Sequence, residues 1–125
     1  MSSANYHEPA PELSSESRQT HRALASLVEE LEAIDWYQQR IDVVEDDQLR
    51  AILAHNRDEE IEHASMLLEW LRRNQPGFDE NLKTYLFTSG PIARIEETVS
   101  GEPLAGDNGG SAPDDLGVGN FTKEQ

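Results

Sequence analysis

The segment Glu60-Ile61-Glu62-His63 places a glutamate and a histidine three residues apart, and this Glu-x-x-His spacing occurs once in the chain. On an α-helix, residues three apart lie on one face, so a carboxylate and an imidazole can bind the same metal ion. A two-metal site inside a four-helix bundle needs two such pairs and two further glutamates. This chain offers one pair and one matching glutamate, Glu30. We therefore predict a metal site that two copies of the chain build together.

The helical positions of these residues support that prediction. At about 100° per residue, Glu30 falls in the apolar stripe of one predicted helix, and Glu60 and His63 fall on the apolar face of the next. Both glutamates lie roughly 18–20 Å from the turn between the helices, so they should face each other in an antiparallel hairpin. Buried carboxylates are costly unless they are neutralised. Two divalent cations would balance the four carboxylates of a two-fold dimer, so we expect metal binding and assembly to be coupled.

The elements that hold these residues are predicted to be α-helices. Ser14 and Ser15 are candidate N-caps for the first helix, and Gln75-Pro76-Gly77 should end the second. The predicted helices cover residues 15–41, 47–74 and 78–87, with one or two further turns at 92–99. The break at 42–47 is short enough for an antiparallel return. The predicted fold class is all-α: an antiparallel two-helix hairpin plus a short C-terminal helix, dimerising into a four-helix bundle.

One folded domain between two unstructured ends is the predicted organisation. Residues 1–12 contain two prolines and little apolar content, which predicts a disordered extension. Residues 13–98 form the helical domain. Residues 99–125 are rich in Gly, Pro, Asp and Ser, which is typical of a flexible tail. That tail contains a slightly apolar patch at residues 116–121.

The composition excludes several classes of function. The chain has 10 Lys+Arg against 25 Asp+Glu, a formal net charge of −15, which argues against binding to nucleic acid or to anionic membranes. The absence of cysteine excludes disulfides, thiolate zinc sites and thiol catalysis. We find neither a signal peptide nor an apolar run of the roughly 20 residues needed to cross a bilayer. The expectation is a soluble intracellular protein.

Simpler interpretations exist for several side chains. His63 could be an interface histidine, and Tyr37 could be either a core residue or a hydrogen-bond donor to a metal ligand. Trp36 lies on the polar side of the first helix, where a large aromatic favours a second protein interface and hence a ring or larger closed assembly. The remaining acidic and histidine side chains fall off the stripe or carry no pattern: Asp58, Glu59, Glu62, His55, His7 and His21.

The predicted ligands are rich in carboxylate oxygen, with one nitrogen per metal and no sulfur. Such a set favours iron or manganese over zinc. Two metals bridged by carboxylates can supply the two electrons that reduce O2 to peroxide, so oxidation of Fe(II) to Fe(III) is the predicted reaction. In this interpretation Glu60 bridges the metals while Glu30 and His63 bind one each, although spacing alone leaves the bridging role open.

Long segments of the chain closely resemble the encapsulated ferritins. The resemblance runs over about residues 20–95 and is carried by EELEAIDWY (29–37), ILAHNRDEE (52–60), EHA (62–64), LEWLRRN (68–74), TYLFT (84–88) and GPI (90–92). It implies two-helix chains with a ferritin-like four-helix bundle and a ferroxidase site at a dimer interface, five dimers closing into a ring-shaped decamer. Glu30, Glu60 and His63 match the family's di-iron ligands, with Tyr37 beside them.

The resemblance also implies a metal-access site between subunits, because Glu29, Glu32 and Trp36 match residues that line it. Calcium or another divalent cation is the expected occupant there. Members are cargo of encapsulin nanocompartments in the cytoplasm, and the shell stores the iron mineral. Residues 116–125 would then hold the shell-targeting peptide, since Leu116-Gly117-Val118-Gly119 is similar to the Leu-x-Val-Gly core of such peptides, whereas residues 120–125 depart from the usual ending.

The function predicted from the sequence is therefore a ferroxidase that supplies iron for storage inside an encapsulin shell. A di-iron or manganese oxidase or peroxidase without a storage role is one alternative. The other is a non-catalytic helical assembly protein with a structural metal site.

Overall fold

The computed structural model describes residues 5–100, and for residues 98–100 it describes the backbone. Within this range the chain is helical and contains no strand, so the predicted all-α class is confirmed. The helices are α1 (Ser15–Val43), α2 (Asp47–Asn74), α3 (Pro76–Tyr85) and α4 (Ile95–Ser100), with 3-10 turns at Ala10–Glu12 and Ile92–Arg94. None of the described helices combines the length and the apolar character needed to cross a lipid bilayer. The predicted targeting peptide at 116–125 lies outside the described residues.

The ends of the long helices follow from side-chain caps. The Ser17 N–H donates to Ser14 Oγ at 3.0 Å, which identifies Ser14 as the cap that begins α1. The Leu49 N–H donates to Asp46 Oδ1 at 2.9 Å in the same way at the start of α2. The bounds of α2 are those predicted, whereas α1 extends two residues beyond the predicted Ile41. Arg50 donates to carbonyl oxygens at this end of α1.

Arg50 joins the end of α1 to the start of α2. Its guanidinium donates to the carbonyl oxygen of Ile41 at 3.4 Å and to that of Val44, and it forms an ion pair with Asp47 at 2.7 Å. The last carbonyls of a helix have no partner within the helix, and they carry its partial negative charge. A cation at this position therefore stabilises the turn and directs α2 back along α1.

We expect Arg50→Met to lower the free energy of unfolding by about 1–3 kcal/mol, because it removes charge-assisted hydrogen bonds to helix-terminal carbonyls. Urea unfolding followed by circular dichroism measures the change. The control is Lys83→Met, which removes an exposed ion pair with Asp79 inside α3 and should change stability by about 0.5 kcal/mol or less. Equal losses for the two variants would show that the Arg50 contacts contribute nothing beyond a surface charge.

Residues 5–12 are placed against α1. The Tyr6 and His21 rings lie 4.4 Å apart between centroids, and Arg18 Nη1 donates to the Ala10 carbonyl oxygen at 3.2 Å. These contacts fall within the N-terminal extension predicted at residues 1–12, of which the structure describes residues 5–12, and neither ring belonged to a sequence pattern. The contacts join residues that are 15 and 8 positions apart in the sequence. Amino-acid composition does not predict such contacts.

The chain divides into two compact units, the first ending at Asn74 and the second beginning at Gln75. The first contains α1 and α2, and its buried apolar residues are Leu27, Ala64 and Leu71. The second contains α3, which begins at Pro76 rather than at the predicted Phe78, because proline fits the first turn of a helix. In that unit Ile95 is buried, and the Tyr85 hydroxyl donates to Glu96 at 3.5 Å.

The carboxyl of Glu69, near the end of α2, has a strongly lowered pKa. Hydrogen bonds from Arg72 and Arg73, at 2.8 Å and 2.7 Å, hold the pKa of this glutamate at about 2. We expect ¹³C NMR to show the Glu69 carboxyl titrating near that value. A lowered pKa in the folded state means that its stabilising contribution is present above about pH 4.5 and is lost as the pH falls toward 2. In the variant with both arginines replaced by glutamine, an unchanged midpoint would contradict this assignment.

Candidate metal centre

Glu30 from α1 and Glu60 and His63 from α2 converge on one point of the first unit. One ligand atom from each lies within 4.8 Å of the other two. Among the described residues, no other group of three or more histidine, aspartate or glutamate side chains comes this close together. His63 Nδ1 is 3.3 Å from Glu60 Oε1 and 3.5 Å from Glu30 Oε1. We call these three residues the triad. The structure thus brings together the residues that helical periodicity placed level across the hairpin.

The two helices hold the triad through a cross-helix contact next to it. Arg57, one turn before Glu60 on α2, donates from Nη1 to Gln38 Oε1 of α1 at 2.8 Å. This pair was not predicted from the sequence. Comparing helical positions across the hairpin could have found it, because both residues lie on the same side of the α1–α2 contact. The Arg57–Gln38 contact and the Arg50 contacts at the turn both link α1 to α2, and they hold the two helices in the register that brings Glu30 level with Glu60.

The electrostatics of the triad favour a cation. Glu30 Oε1 is buried and makes no hydrogen bond within the described residues, the nearby His63 Nδ1 lying 3.5 Å away, which is unfavourable for a carboxylate. The adjoining Glu60 carboxyl, burial and the negative charge of Glu60 together raise the pKa of Glu30. Burial on its own lowers the pKa of His63, but the hydrogen bond to Glu60 and the charge of Glu30 outweigh it and raise the pKa overall. A divalent ion would neutralise the two carboxylates.

The donor atoms fit iron or manganese. Two carboxylates and one imidazole, without sulfur, are the hard ligands that these metals bind, and the buried Glu30 oxygen is an acceptor without a donor. The side chains of Glu30 and Glu60 are 23% and 25% exposed, whereas that of His63 is 43% exposed. The triad is therefore enclosed toward the hairpin and open on the side of His63. One chain supplies three donors and leaves coordination positions free on the open side.

The structure places the other predicted residues away from the triad. Tyr37 is half-buried and lies under the guanidinium of Arg40, 5.5 Å from the ring centroid, and within residues 5–100 it donates no hydrogen bond to the triad. Glu29, Glu32 and Trp36 are exposed on α1, and the described part of the chain brings none of them into a cluster of metal ligands. Their roles remain predictions.

The side chains predicted to lie off the stripe are exposed and paired with neighbours on the same helix. His55 Nε2 is 3.2 Å from Glu59 Oε2, one turn along α2. Asp58 accepts from Arg57 at 2.9 Å. Glu62 is exposed. This arrangement is typical of a solvated helix face, as their positions on the helix indicated.

The chain is similar to known proteins in family, in sequence and in solved structure. The family described as EncFtn-like matches residues 5–89. The chain is 59% identical over 106 residues to the "Ferritin-like protein" of Thermotoga maritima, covering 83% of this chain and 93% of the relative. It is 53% identical over 129 residues to the "Encapsulated ferritin-like protein" of Rhodospirillum rubrum, covering 99% and 92%. The crystal structure of protein NE0167 from Nitrosomonas europaea superposes with a TM-score of 0.70 at 63% identity, covering 71% of this chain and 98% of that one.

Proposed function

The chain belongs to the EncFtn-like family, and from this membership and the triad we propose that it is a ferroxidase. In this proposal two copies form the site, and Fe(II) is the substrate that Glu30, Glu60 and His63 bind. Two Fe(II) ions give up two electrons, and one O2 takes them up with two protons to form hydrogen peroxide. The observation that carries the proposal is the convergence of two carboxylates and an imidazole, one buried oxygen having no hydrogen bond.

The residues of the triad would divide the work. We assign the bridge between two ions to Glu60, and Glu30 and His63 each bind one; the His63 imidazole lies within 3.5 Å of both carboxylates. The pKa values of Glu30 and His63 are both raised, so iron would compete with protons for these two groups. Tyr37, two turns from Glu30 on the same face of α1, is suited to hydrogen-bond a ligand from the second copy.

Exposed apolar side chains support the assembly of two copies. Few large apolar residues of the hairpin are buried, and many lie at its surface on both sides of the α1–α2 contact: Leu24, Leu31 and Ile61 on one side, and Ile52, Met66 and Trp70 on the other. A soluble hairpin of this size rarely leaves such surfaces open. A second hairpin would complete a four-helix bundle and would add a second triad to the open side of the first.

A second interface would extend the dimer to the ring-shaped decamer that the family resemblance implies. Trp36 is 51% exposed on α1, with Glu29 and Glu32 on the same side of the helix. An exposed tryptophan is typical of an interface anchor. The two glutamates would bind divalent ions at the contact between dimers and pass them on toward the triad. The functional ion would be iron, and calcium could occupy the same position.

We expect Trp36→Ala to reduce the mass of the assembly, measured by size-exclusion chromatography with light scattering, to that of the dimer. The loss of an interface tryptophan typically costs about 2 kcal/mol or more per contact, and a ring repeats the contact. Gln39→Ala, at an exposed polar position of the same helix, is the control and should leave the mass unchanged. An unchanged mass for Trp36→Ala would remove this interface from the proposal.

The proposal also assigns the chain to an encapsulin nanocompartment, as its cargo in the cytoplasm. The relative from Rhodospirillum rubrum is named as encapsulated, and the match covers 99% of this chain, including the tail. Residues 116–125 would bind the inner wall of the shell, and the shell would hold the ferric mineral.

Aerobic oxidation of Fe(II), followed by Fe(III) absorbance and by O2 consumption, tests the catalytic proposal. The wild-type protein should oxidise iron faster than the same buffer without protein, with about two Fe(II) consumed per O2 as the reaction above requires. A rate equal to that of iron alone would favour a structural metal site instead. Oxidation of Mn(II) but not Fe(II), or consumption of peroxide without retained Fe(III), would favour the oxidase or peroxidase alternative.

A further inference from the structure

One side of α2 carries a regular stripe that the hairpin leaves partly uncovered. Its members are separated alternately by four and three residues, the spacing of a coiled-coil seam. The members are Ile52, Asn56, Glu59, His63, Met66 and Trp70. Glu59 is the solvated member, 53% exposed and paired with His55 on its own helix. The apolar members are exposed, Ile52 at 55%, Met66 at 57% and Trp70 at 38%. We call this set the α2 stripe.

A second copy of the chain is the occupant that the α2 stripe fits. His63 belongs both to the stripe and to the triad, and the triad is open on the side of His63. A surface that covers the stripe therefore also closes the metal site. Seam spacing is the pattern of helices that pack against helices, and this chain's own hairpin supplies them. This step rests on the proposed two-copy site.

Asn56 is the neutral polar member of the stripe. It lies one turn before Glu60, next to Arg57, and it is half-buried in the single hairpin. Within residues 5–100 its carboxamide makes no hydrogen bond, whereas its neighbour Arg57 bonds to Gln38. A second copy packed on the stripe would bury the amide further, which is unfavourable unless a polar group of that copy meets it.

We propose that Asn56 fixes the register in which the second copy packs on α2, so that the two triads meet at one level. A single asparagine in a coiled-coil seam selects one register at a cost in stability, because other registers leave its amide without a partner. A slip of seven residues would keep the apolar members in contact but would displace the copies by about 10 Å. Such a slip separates the carboxylates that two ions must bridge. Asn56 is thus a positioning residue for the metal site and not a ligand.

Distances between copies test the register directly. The chain has no cysteine, so Ser65→Cys introduces one spin label at an exposed position of α2, where the native hydroxyl bonds only within its own helix, to Ile61. Pulsed electron spin resonance on the full chain should give narrow distances between copies, one for each kind of neighbouring copy in the assembly. In the Asn56→Leu background we expect additional distances, displaced by about 10 Å, together with a melting temperature raised by about 5 °C.

Two further variants keep the test decisive. Asn56→Ala removes the amide without adding bulk and should also broaden the distances between copies. It provides the test if Asn56→Leu fails to fold. Ala51→Leu adds an apolar side chain at an exposed position outside the α2 stripe, and it should leave the distances unchanged. An unchanged, narrow distribution in both Asn56 variants would overturn the proposal.

Iron oxidation separates this inference from the proposed function. If the wild type oxidises iron, we expect Asn56→Leu to be slower by about tenfold, with altered Co(II) absorption at the site. An active wild type with unaffected Asn56 variants would overturn the role of Asn56 and leave the ferroxidase intact. An inactive wild type whose Asn56→Leu variant still broadens the distances would overturn the ferroxidase and support the register role.

Discussion

Replacing Glu60 with glutamine should slow the oxidation of Fe(II) by about 100-fold or more, while the helices and their assembly persist. Glutamine keeps the size of the side chain, so the loss would arise from the charge and from one strong oxygen ligand. Glu60 also raises the pKa of Glu30 through its adjoining carboxyl and its negative charge. Its replacement removes a charged ligand, so iron binding should weaken at the same time as the predicted bridge is lost.

The matched control is Glu62→Gln, two residues along α2. Glu62 is exposed and outside the triad, so this variant removes the same charge from the same helix without touching the site. We expect its oxidation rate to stay within about twofold of the wild type, because surface substitutions away from a site have small effects. If both variants lost activity equally, bulk attraction of cations by an acidic chain would explain the rate better than a defined centre. Circular dichroism and light scattering on both proteins exclude unfolding as the cause.

Helical periodicity sufficed to predict the convergence of the triad. Glu30, Glu60 and His63 interrupt apolar stripes, and a carboxylate at such a position requires a partner whatever the details of packing. The distance of each glutamate from the turn set their level, because the rise per residue of a helix is constant. The start of α2 was predictable for a related reason, since Asp46 and Asp47 are typical of a helix N-terminus.

Contacts between a side chain and a distant backbone were not predictable. The hydrogen bonds from Arg50 to the carbonyl oxygens of Ile41 and Val44 form only when the turn has its folded backbone conformation. The same hydrogen bonds stabilise that conformation, so neither can be predicted without the other. No periodicity in the sequence predicts the contact between the Tyr6 and His21 rings. In the proposed two-copy site, the groups that complete it would come from another copy, and the sequence of one chain indicates them only by the ligands that it does not supply. The spacing of Asn56 alone predicts no role for it, whereas the exposure of Ile52, Met66 and Trp70 defines the α2 stripe to which it belongs.

Deleting residues 116–125 should abolish loading into a co-expressed encapsulin shell and leave the oxidation rate unchanged. The tail follows α4, whereas the triad lies in α1 and α2, so the two functions are carried by separate segments. A ring of ten chains would present ten tails, and several bound at once would raise the apparent affinity by at least about 100-fold over a single tail. Removal from every chain therefore eliminates the whole effect. The amount of cargo that copurifies with the shell measures it.

Deleting only residues 122–125 is the control that identifies the binding segment. This truncation retains Leu116-Gly117-Val118-Gly119 and removes the Thr-Lys-Glu-Gln ending, which departs from the family's usual pattern. If the Leu-x-Val-Gly core carries recognition, loading persists in the shorter deletion and disappears in the longer one. Loss in both would assign binding to the divergent ending, and loading in both would mean that the shell recognises the folded helices. Since oxidation should be the same in all three proteins, a difference in loading reflects binding to the shell and not the chemistry of the site.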